Sequence, residues 1–204
     1  MRVFGITGGI GTGKTFILDM IARAGYPTYS ADARAKALME ENDDLREAIR
    51  RLFGAEAFTP EGKLHRAYIA ARIFSQPDLR VQLNQLVHPA TIADFLSWVQ
   101  ARAAEGHPAV FKEAALTLEA GAGHGLDALI LVYAPLRIRV ERLQKRDALS
   151  EDAILARLRA QWPEWKKIAH ADFLLINDGY HPIEPQLKNL FTRYGLPMPA
   201  IFAR

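Results

Sequence analysis

Short, near-continuous apolar runs recur along the chain, separated by longer stretches of helical periodicity. Arg2-Val3-Phe4-Gly5-Ile6, Ala109-Val110-Phe111-Lys112-Glu113, Ala128-Leu129-Ile130-Leu131-Val132-Tyr133 and Phe173-Leu174-Leu175-Ile176 are too short for helices. Their lack of polar alternation predicts strands buried on both faces, as in parallel sheets. Phe16, Ile17, Met20, Ile21 and Ala24 recur at helical spacing until Gly25 breaks the pattern, and Pro27-Thr28-Tyr29 then reads as a second short strand ending at Ser30-Ala31-Asp32.

From Ala33 to about Gly106 the pattern is helical. Ala37, Leu38, Leu45, Ile49, Leu52 and Phe53 mark its first part, and Ile69, Ile73 and Phe74 its second. Ser75-Gln76-Pro77-Asp78 predicts a helix start with Ser75 as N-cap, leading to Leu79, Leu83, Leu86 and Val87. That helix is expected to stop at His88-Pro89, with Ile92, Phe95, Leu96 and Val99 forming a further amphipathic helix. After the second and third apolar runs, Pro135 opens a helix rich in arginine and Ser150 caps another. Asn177-Asp178-Gly179 reads as a turn, and Ile183 to Tyr194 as a closing helix.

This order predicts an α/β protein with a parallel sheet. Its core spans 1–31 and 107–204, with a lid at about 137–168, and is interrupted by a helical insertion over 32–106. With 204 residues, half of them hydrophobic, the chain suffices for one α/β domain carrying insertions or for two small lobes. Lys and Arg number 26 against 23 Asp and Glu, and the signs are interleaved, which fits an anionic substrate and leaves no footprint for nucleic acid. The absence of cysteine excludes disulfides, thiolate metal sites and a cysteine nucleophile, and suits a cytoplasmic setting. The most apolar run, Ala128 to Ala134, is too short to span a bilayer, and no signal peptide fits before Gly8, so no membrane attachment is expected. Nothing in the pattern calls for an obligate protein partner.

The chemistry concentrates at Gly8-Gly9-Ile10-Gly11-Thr12-Gly13-Lys14-Thr15, which fits G-x-x-x-x-G-K-[ST] between a strand and a helix. Glycines at Gly8, Gly11 and Gly13 permit the positive-φ turns that direct backbone N–H groups onto a polyphosphate. Lys14 supplies a charge for the β- and γ-phosphates, Thr15 a hydroxyl for Mg²⁺, and the helix that begins here presents its positive end. The loop Gly9 to Thr15, with Phe16 next, is therefore the candidate nucleotide site.

Asp32 closes a predicted strand and supports two readings. If that strand neighbours the first, Asp32 faces the same crevice as Lys14; alternatively, Asp32 only caps the next helix. Arg142 and Arg146 lie i, i+4 on one helix face, from which they can clamp transferring phosphates, while the other charges of that helix read as a solvated surface. His88 is either structural or a donor aimed from a helix junction.

Several separated motifs resemble those of the dephospho-coenzyme A kinases, from the first strand to about Tyr194. Thr7 to Thr15 resembles T-G-G-I-G-[ST]-G-K-[ST], and Ala31-Asp32 with Lys36 resembles D-A-D-x-x-A-R. Leu64-His65-Arg66, Phe74-Ser75-Gln76-Pro77 and Val87-His88-Pro89 are similar to L-D-R, F-S-D-P and L-H-P. Arg142-Leu143-Gln144-Lys145-Arg146-Asp147 fits R-L-x-x-R-D, and Gln161, Lys167, Ala171-Asp172 and Asn177-Asp178-Gly179 follow at the family's spacing. The chain departs from the pattern at Ser30 and His65, where aspartates are usual, and at Phe16, where a second hydroxyl is frequent. Glu113 to Glu119 keeps both acids of D-x-P-L-L-x-E but has Ala115 in place of the proline.

The resemblance implies a three-layer P-loop kinase that moves the γ-phosphate of ATP, with Mg²⁺, to the ribose 3′-hydroxyl of dephospho-coenzyme A. It implies Asp32 at the acceptor hydroxyl and acceptor binding by the helical insertion through Lys36, Arg66 and His88. Lys14, Arg142 and Arg146 would stabilise the phosphoryl group, and Asn177 would lie near the adenine. A kinase of the same architecture acting on another nucleoside or nucleotide, and a nucleotide-dependent binding module, are the alternatives. The D-x-x-G and N-K-x-D motifs of a GTPase switch do not occur in the chain.

Overall fold

The computed structural model describes residues 1–113, 125–147 and 150–202. Glu119 and Ala115, singled out above, lie outside the described residues. The chain divides into two compact units, Met1–Ser30 with Arg102–Arg204, and Ala31–Ala101.

The first unit is built on a parallel sheet of β1 (Arg2–Thr7), β2 (Thr28–Ser30), β3 (Ala109–Glu113), β4 (Ala128–Tyr133) and β5 (Phe173–Ile176), in the order β2-β3-β1-β4-β5. The fold is three-layer α/β. One face of the sheet gathers Phe4, Ile6, Phe111, Ile130, Val132 and Leu175 into a core with Ile17 and Ile21 of α1 (Lys14–Arg23), as period-2 side-chain alternation requires. Phe4 stacks on Phe111 with ring centroids 5.0 Å apart, which matches their pairing across β1 and β3. The starts of β1 and β4 are pinned by carboxylates: Asp127 accepts from Val3 N at 2.6 Å and Asp172 from Leu129 N at 2.8 Å.

The condition stated for Asp32, that β2 neighbours β1, is not met, because β3 lies between them. The physical reason is burial. Ala109, Val110 and Phe111 are fully buried and need sheet on both sides, whereas β2 has three residues with only Tyr29 buried and fits an edge. Glu113, at the carboxyl end of β3, is thereby paired in register with both Ile6 and Ser30.

The second unit contains α2 (Ala31–Glu41), α3 (Asp43–Phe53), α4 (Arg66–Ser75) and all but the last turn of α5 (Pro77–Ala104), around Leu38, Leu45, Ile49, Phe53, Phe58, Ile69, Leu79 and Val87. Asn42 caps α3 by accepting from Leu45 N at 2.8 Å, with Asp43 and Asp44 in the first turn and Arg50 and Arg51 in the last.

Two expectations are corrected here. Ser75 is the last residue of α4, its hydroxyl donating to Arg72 O, and does not cap α5. Pro89 does not end a helix either, since α5 runs through it for 28 residues. An interior proline removes one backbone bond at a cost of about 3 kcal/mol or more, so neighbouring contacts must hold the helix together. Thr91 Oγ1 donates to Val87 O at 2.9 Å, and beyond the proline Arg34 of α2 grips both oxygens of Asp94 at 2.7 and 3.1 Å.

The remaining helices of the first unit are α6 (Leu136–Asp147), α7 (Glu151–Arg159), α8 (Glu164–Ile168) and α9 (Ile183–Arg193). Ser150 caps α7, as expected, by accepting from Ala153 N. No helix among the described residues is long and apolar enough to cross a membrane.

Candidate functional site

The glycine-rich loop leaves the carboxyl end of β1, between β3 and β4 in the sheet, and delivers the chain to α1. Gly8, Gly11 and Gly13 have φ of 152°, 82° and 91°, as the spacing of the motif requires. Gly9 is different. Its φ is ordinary, but a Cβ there would strike the Arg139 guanidinium and lie 2.6 Å from Glu164 Oε1.

Side chains from α6 and from the end of β5 collect the loop's carbonyls. Arg139 Nε donates to Ile10 O at 2.8 Å, and Arg142 Nη1 donates to Thr12 O at 3.3 Å and Gly11 O at 3.5 Å. Asn177 Nδ2 donates to Thr12 O at 2.8 Å, while its Oδ1 accepts from Arg142 Nη2 at 3.3 Å. In a trans peptide the N–H points opposite to its own C=O. Fixing the carbonyls of Ile10 and Thr12 on this side therefore turns the N–H groups of Gly11 and Gly13 to the other, where they form an anion-binding concavity. Lys14, 8 % exposed, donates through Nζ to Gly8 O at 3.0 Å and Gly9 O at 3.3 Å. Thr15 and Phe16 follow on the exposed first turn of α1.

The arginines of α6 separate sharply. Arg146, its side chain 64 % exposed, turns to Asp147 at 2.7 Å and does not reach the loop, so sharing a face with Arg142 does not bring the two to one place. Arg139, assigned by sequence to the solvated surface, is instead buried, with its side chain 6 % exposed and paired to Glu164 at 2.6 Å. Burial lowers its pKa from the usual arginine value, and the Glu164 carboxylate opposes that shift. Gln161 was legible as a motif residue without a role; its Oε1 accepts from Ile10 N at 2.9 Å. The i, i+3 spacing of Arg139 and Arg142 is the one sequence signal that joins Arg139 to the site.

Asn177 is held in turn by its surroundings. Its N–H donates to Tyr133 O at 2.8 Å, and Asp178 closes the following turn by accepting from Tyr180 N and His181 N, both at 2.9 Å. Those backbone donors, His181 first, and the His181 ring hold the Asp178 carboxyl down at about 2. At the end of β3, Glu113 Oε2 accepts from Ser30 Oγ at 3.5 Å.

The second unit carries the other sequence-selected residues. Asp32 is the second residue of α2, inside its first turn, so it does not precede the helix as a cap would. Asp32 and Lys36 are exposed and lie i, i+4 on one face of α2. Glu40, the next residue of that row, accepts from Leu64 N and pairs with Arg66 at 3.8 Å and Lys63 at 3.6 Å. This brings Arg66 to the same helix face. His88 is exposed in the middle of α5 instead of standing at a helix junction, and no described contact joins it to this row.

The donor chemistry available for a divalent cation is hard oxygen, from the Thr15 hydroxyl and the Glu113 carboxylate. Among the described residues no three His, Cys, Asp or Glu side chains cluster into a metal cage. That set fits Mg²⁺, which takes one or two protein oxygens and leaves its other positions to phosphates and water.

Residues 2–182 match the family model described as dephospho-CoA kinase. A dephospho-CoA kinase of Anaeromyxobacter dehalogenans is 40% identical over 179 residues, covering 88% of this chain and 85% of that protein. A crystal structure of a Thermus thermophilus protein is similar with a TM-score of 0.79 at 34% identity, covering 95% of this chain and 96% of the other. The dephospho-CoA kinase of Campylobacter jejuni is similar with a TM-score of 0.72 at 27% identity, over 95% and 98% of the two chains.

Proposed function

We infer that this chain, which belongs to the dephospho-CoA kinase family and phosphorylates dephospho-CoA to CoA with ATP, uses Asp32 as the base at the ribose 3′-hydroxyl. Catalysis here is positioning and charge stabilisation, since phosphoryl transfer asks little covalent chemistry of the protein. The loop from Gly9 to Phe16 binds the triphosphate, with Lys14 and Arg142 on the oxygens that gain charge. Asn177 lies toward the adenine, and Arg146 contributes only if it exchanges Asp147 for phosphate. Asp32 accepts the hydroxyl proton, and Lys36 on the same helix face, with Arg66 and His88, binds anionic and polar groups of the acceptor. The unit Ala31–Ala101 is then the acceptor module and α6 to α8 the lid.

Mg²⁺ would be held by Thr15, with Glu113 as the second protein oxygen, and when bound supplies charge neutralisation at the β- and γ-phosphate oxygens. The cysteine-free composition supports a cytoplasmic setting.

The observation that carries the reading is the loop itself. Arg139, Arg142 and Asn177 hold its carbonyls on one side, so the N–H groups of Gly11 and Gly13 are oriented for phosphate before any binding energy is spent. The test is steady-state ADP release against a panel of acceptors: dephospho-CoA, adenosine, AMP and shikimate. Turnover confined to dephospho-CoA, with a 3′-phosphorylated product by mass spectrometry and NMR, is expected. Equal turnover of a simple nucleoside or nucleotide would overturn the acceptor assignment.

A further inference from the structure

We propose that Arg139 and Gln161, braced by Glu164, are positioning residues that hold the tip of the phosphate loop at Ile10 in its phosphate-binding form. Both polar backbone groups of Ile10 are taken by this set, its N–H by Gln161 Oε1 at 2.9 Å and its C=O by Arg139 Nε at 2.8 Å. The three side chains come from the start of α6, the segment after α7 and the start of α8. The stretch read as a lid is thus seated on one residue of the loop.

A buried guanidinium is costly to desolvate, and the Glu164 contact at 2.6 Å offsets that cost. Two glycines supply the room. A side chain at Gly9 would collide with the guanidinium, and a Cβ at Gly11 would stand 3.0 Å from Arg139 O and 3.2 Å from its Cα. Since Gly9 does not need a glycine for its backbone angle, admission of Arg139 accounts for it.

The mechanical consequence follows from peptide planarity. With both sides of Ile10 tied, the peptide planes on either side of it are fixed, and the direction of the Gly11 N–H is set with them. Releasing Ile10 lets the loop reorient, so each ATP must restore the order that the protein otherwise supplies. The acceptor unit takes no part in these contacts, so acceptor affinity is expected to be insensitive to them.

The inference rests on the nucleotide-site reading above, and four variants separate the two. Arg139→Met leaves the partly buried Glu164 carboxylate without its partner and should lower Tm as well as kcat/KM for ATP. Arg139→Met/Glu164→Leu removes the stranded charge, so Tm should recover while kcat/KM for ATP stays at least about tenfold down and the calorimetric Kd for dephospho-CoA is unchanged. Gln161→Leu alters no charge and should by itself lower kcat/KM for ATP about fivefold. It decides the matter if the double variant does not fold. Parental kcat/KM for ATP in a folded double variant, or in Gln161→Leu, would reduce the set to a structural pair and overturn the proposal. Lys14→Ala is the reference: a crippled Lys14→Ala beside a parental double variant sinks the brace alone, whereas near-parental turnover in Lys14→Ala sinks the nucleotide-site reading beneath it.

Discussion

Replacing Asp32 by Asn separates chemistry from structure at one atom. The side chain is exposed and makes no hydrogen bond or ion pair among the described residues, so its structural contribution reduces to a negative charge in the first turn of α2. Losing that charge costs about 0.3–1 kcal/mol, and at about 2–4 °C per kcal/mol for a chain of this size Tm should fall by no more than about 4 °C. The amide cannot take up the hydroxyl proton. A positioned base is worth about 10² to 10⁴ in rate, or about 2.7 to 5.5 kcal/mol at 1.36 kcal/mol per decade. The two effects therefore differ by more than the uncertainty of either, and a stability loss of 1 kcal/mol cannot depopulate the folded state a hundredfold in a protein of ordinary stability. The assay is ADP release at saturating ATP and dephospho-CoA, with melting and ATP-analogue calorimetry alongside. A kcat within tenfold of the parent would refute the base assignment. The control is Ser30→Ala, which should be mild because among the described residues the Ser30 hydroxyl makes only a 3.5 Å contact to Glu113.

Two further outcomes follow from the site. Arg142→Ala removes the donor to Gly11 O and Thr12 O and should lower kcat at least about tenfold with little change in dephospho-CoA affinity, while Arg146→Ala should cost less than Arg142→Ala; the reverse ranking would move the working cation along the helix. Asp178 has a folded pKa of about 2, below its ordinary value of 3.8, so it contributes stability that is present above about pH 4 and lost as pH falls toward 2. Asp178→Asn should therefore flatten that part of the Tm-against-pH curve, and an unchanged acid limb would contradict the assignment.

The sheet was legible because its strands are apolar and short: Ala128–Tyr133 and Phe173–Ile176 appear where the pattern put them. Strand order was less accessible, since nothing local to Thr28–Ser30 says that a strand 80 residues later will come between it and β1. Pro89 reads as a stop by propensity, and the Arg34 grip on Asp94 that carries α5 past it is a tertiary contact. At the loop, the positive-φ glycines follow from a motif whose purpose is backbone geometry. Gly9 does not, because its cause is a side chain 130 residues away. Arg139 itself was lost among the charges of α6, for an arginine run looks the same whether a given member faces water or a carbonyl. Only packing distinguishes them.

The position of β3 beside β2 carries one more consequence, for how such a protein can be changed. The crossover from Ser30 to Ala109 joins two adjacent parallel strands, a task that needs roughly a dozen residues. Here the chain spends residues 31 to 108 on it, so most of that length owes nothing to sheet closure. Because closure entropy grows only logarithmically with length, the segment can be lengthened, shortened or exchanged at small thermodynamic cost to the strands it connects. On the acceptor reading proposed above, exchanging the part of this segment beyond Asp32 for a different helical cassette is a route to a phosphotransferase with a new acceptor, with the proposed base retained.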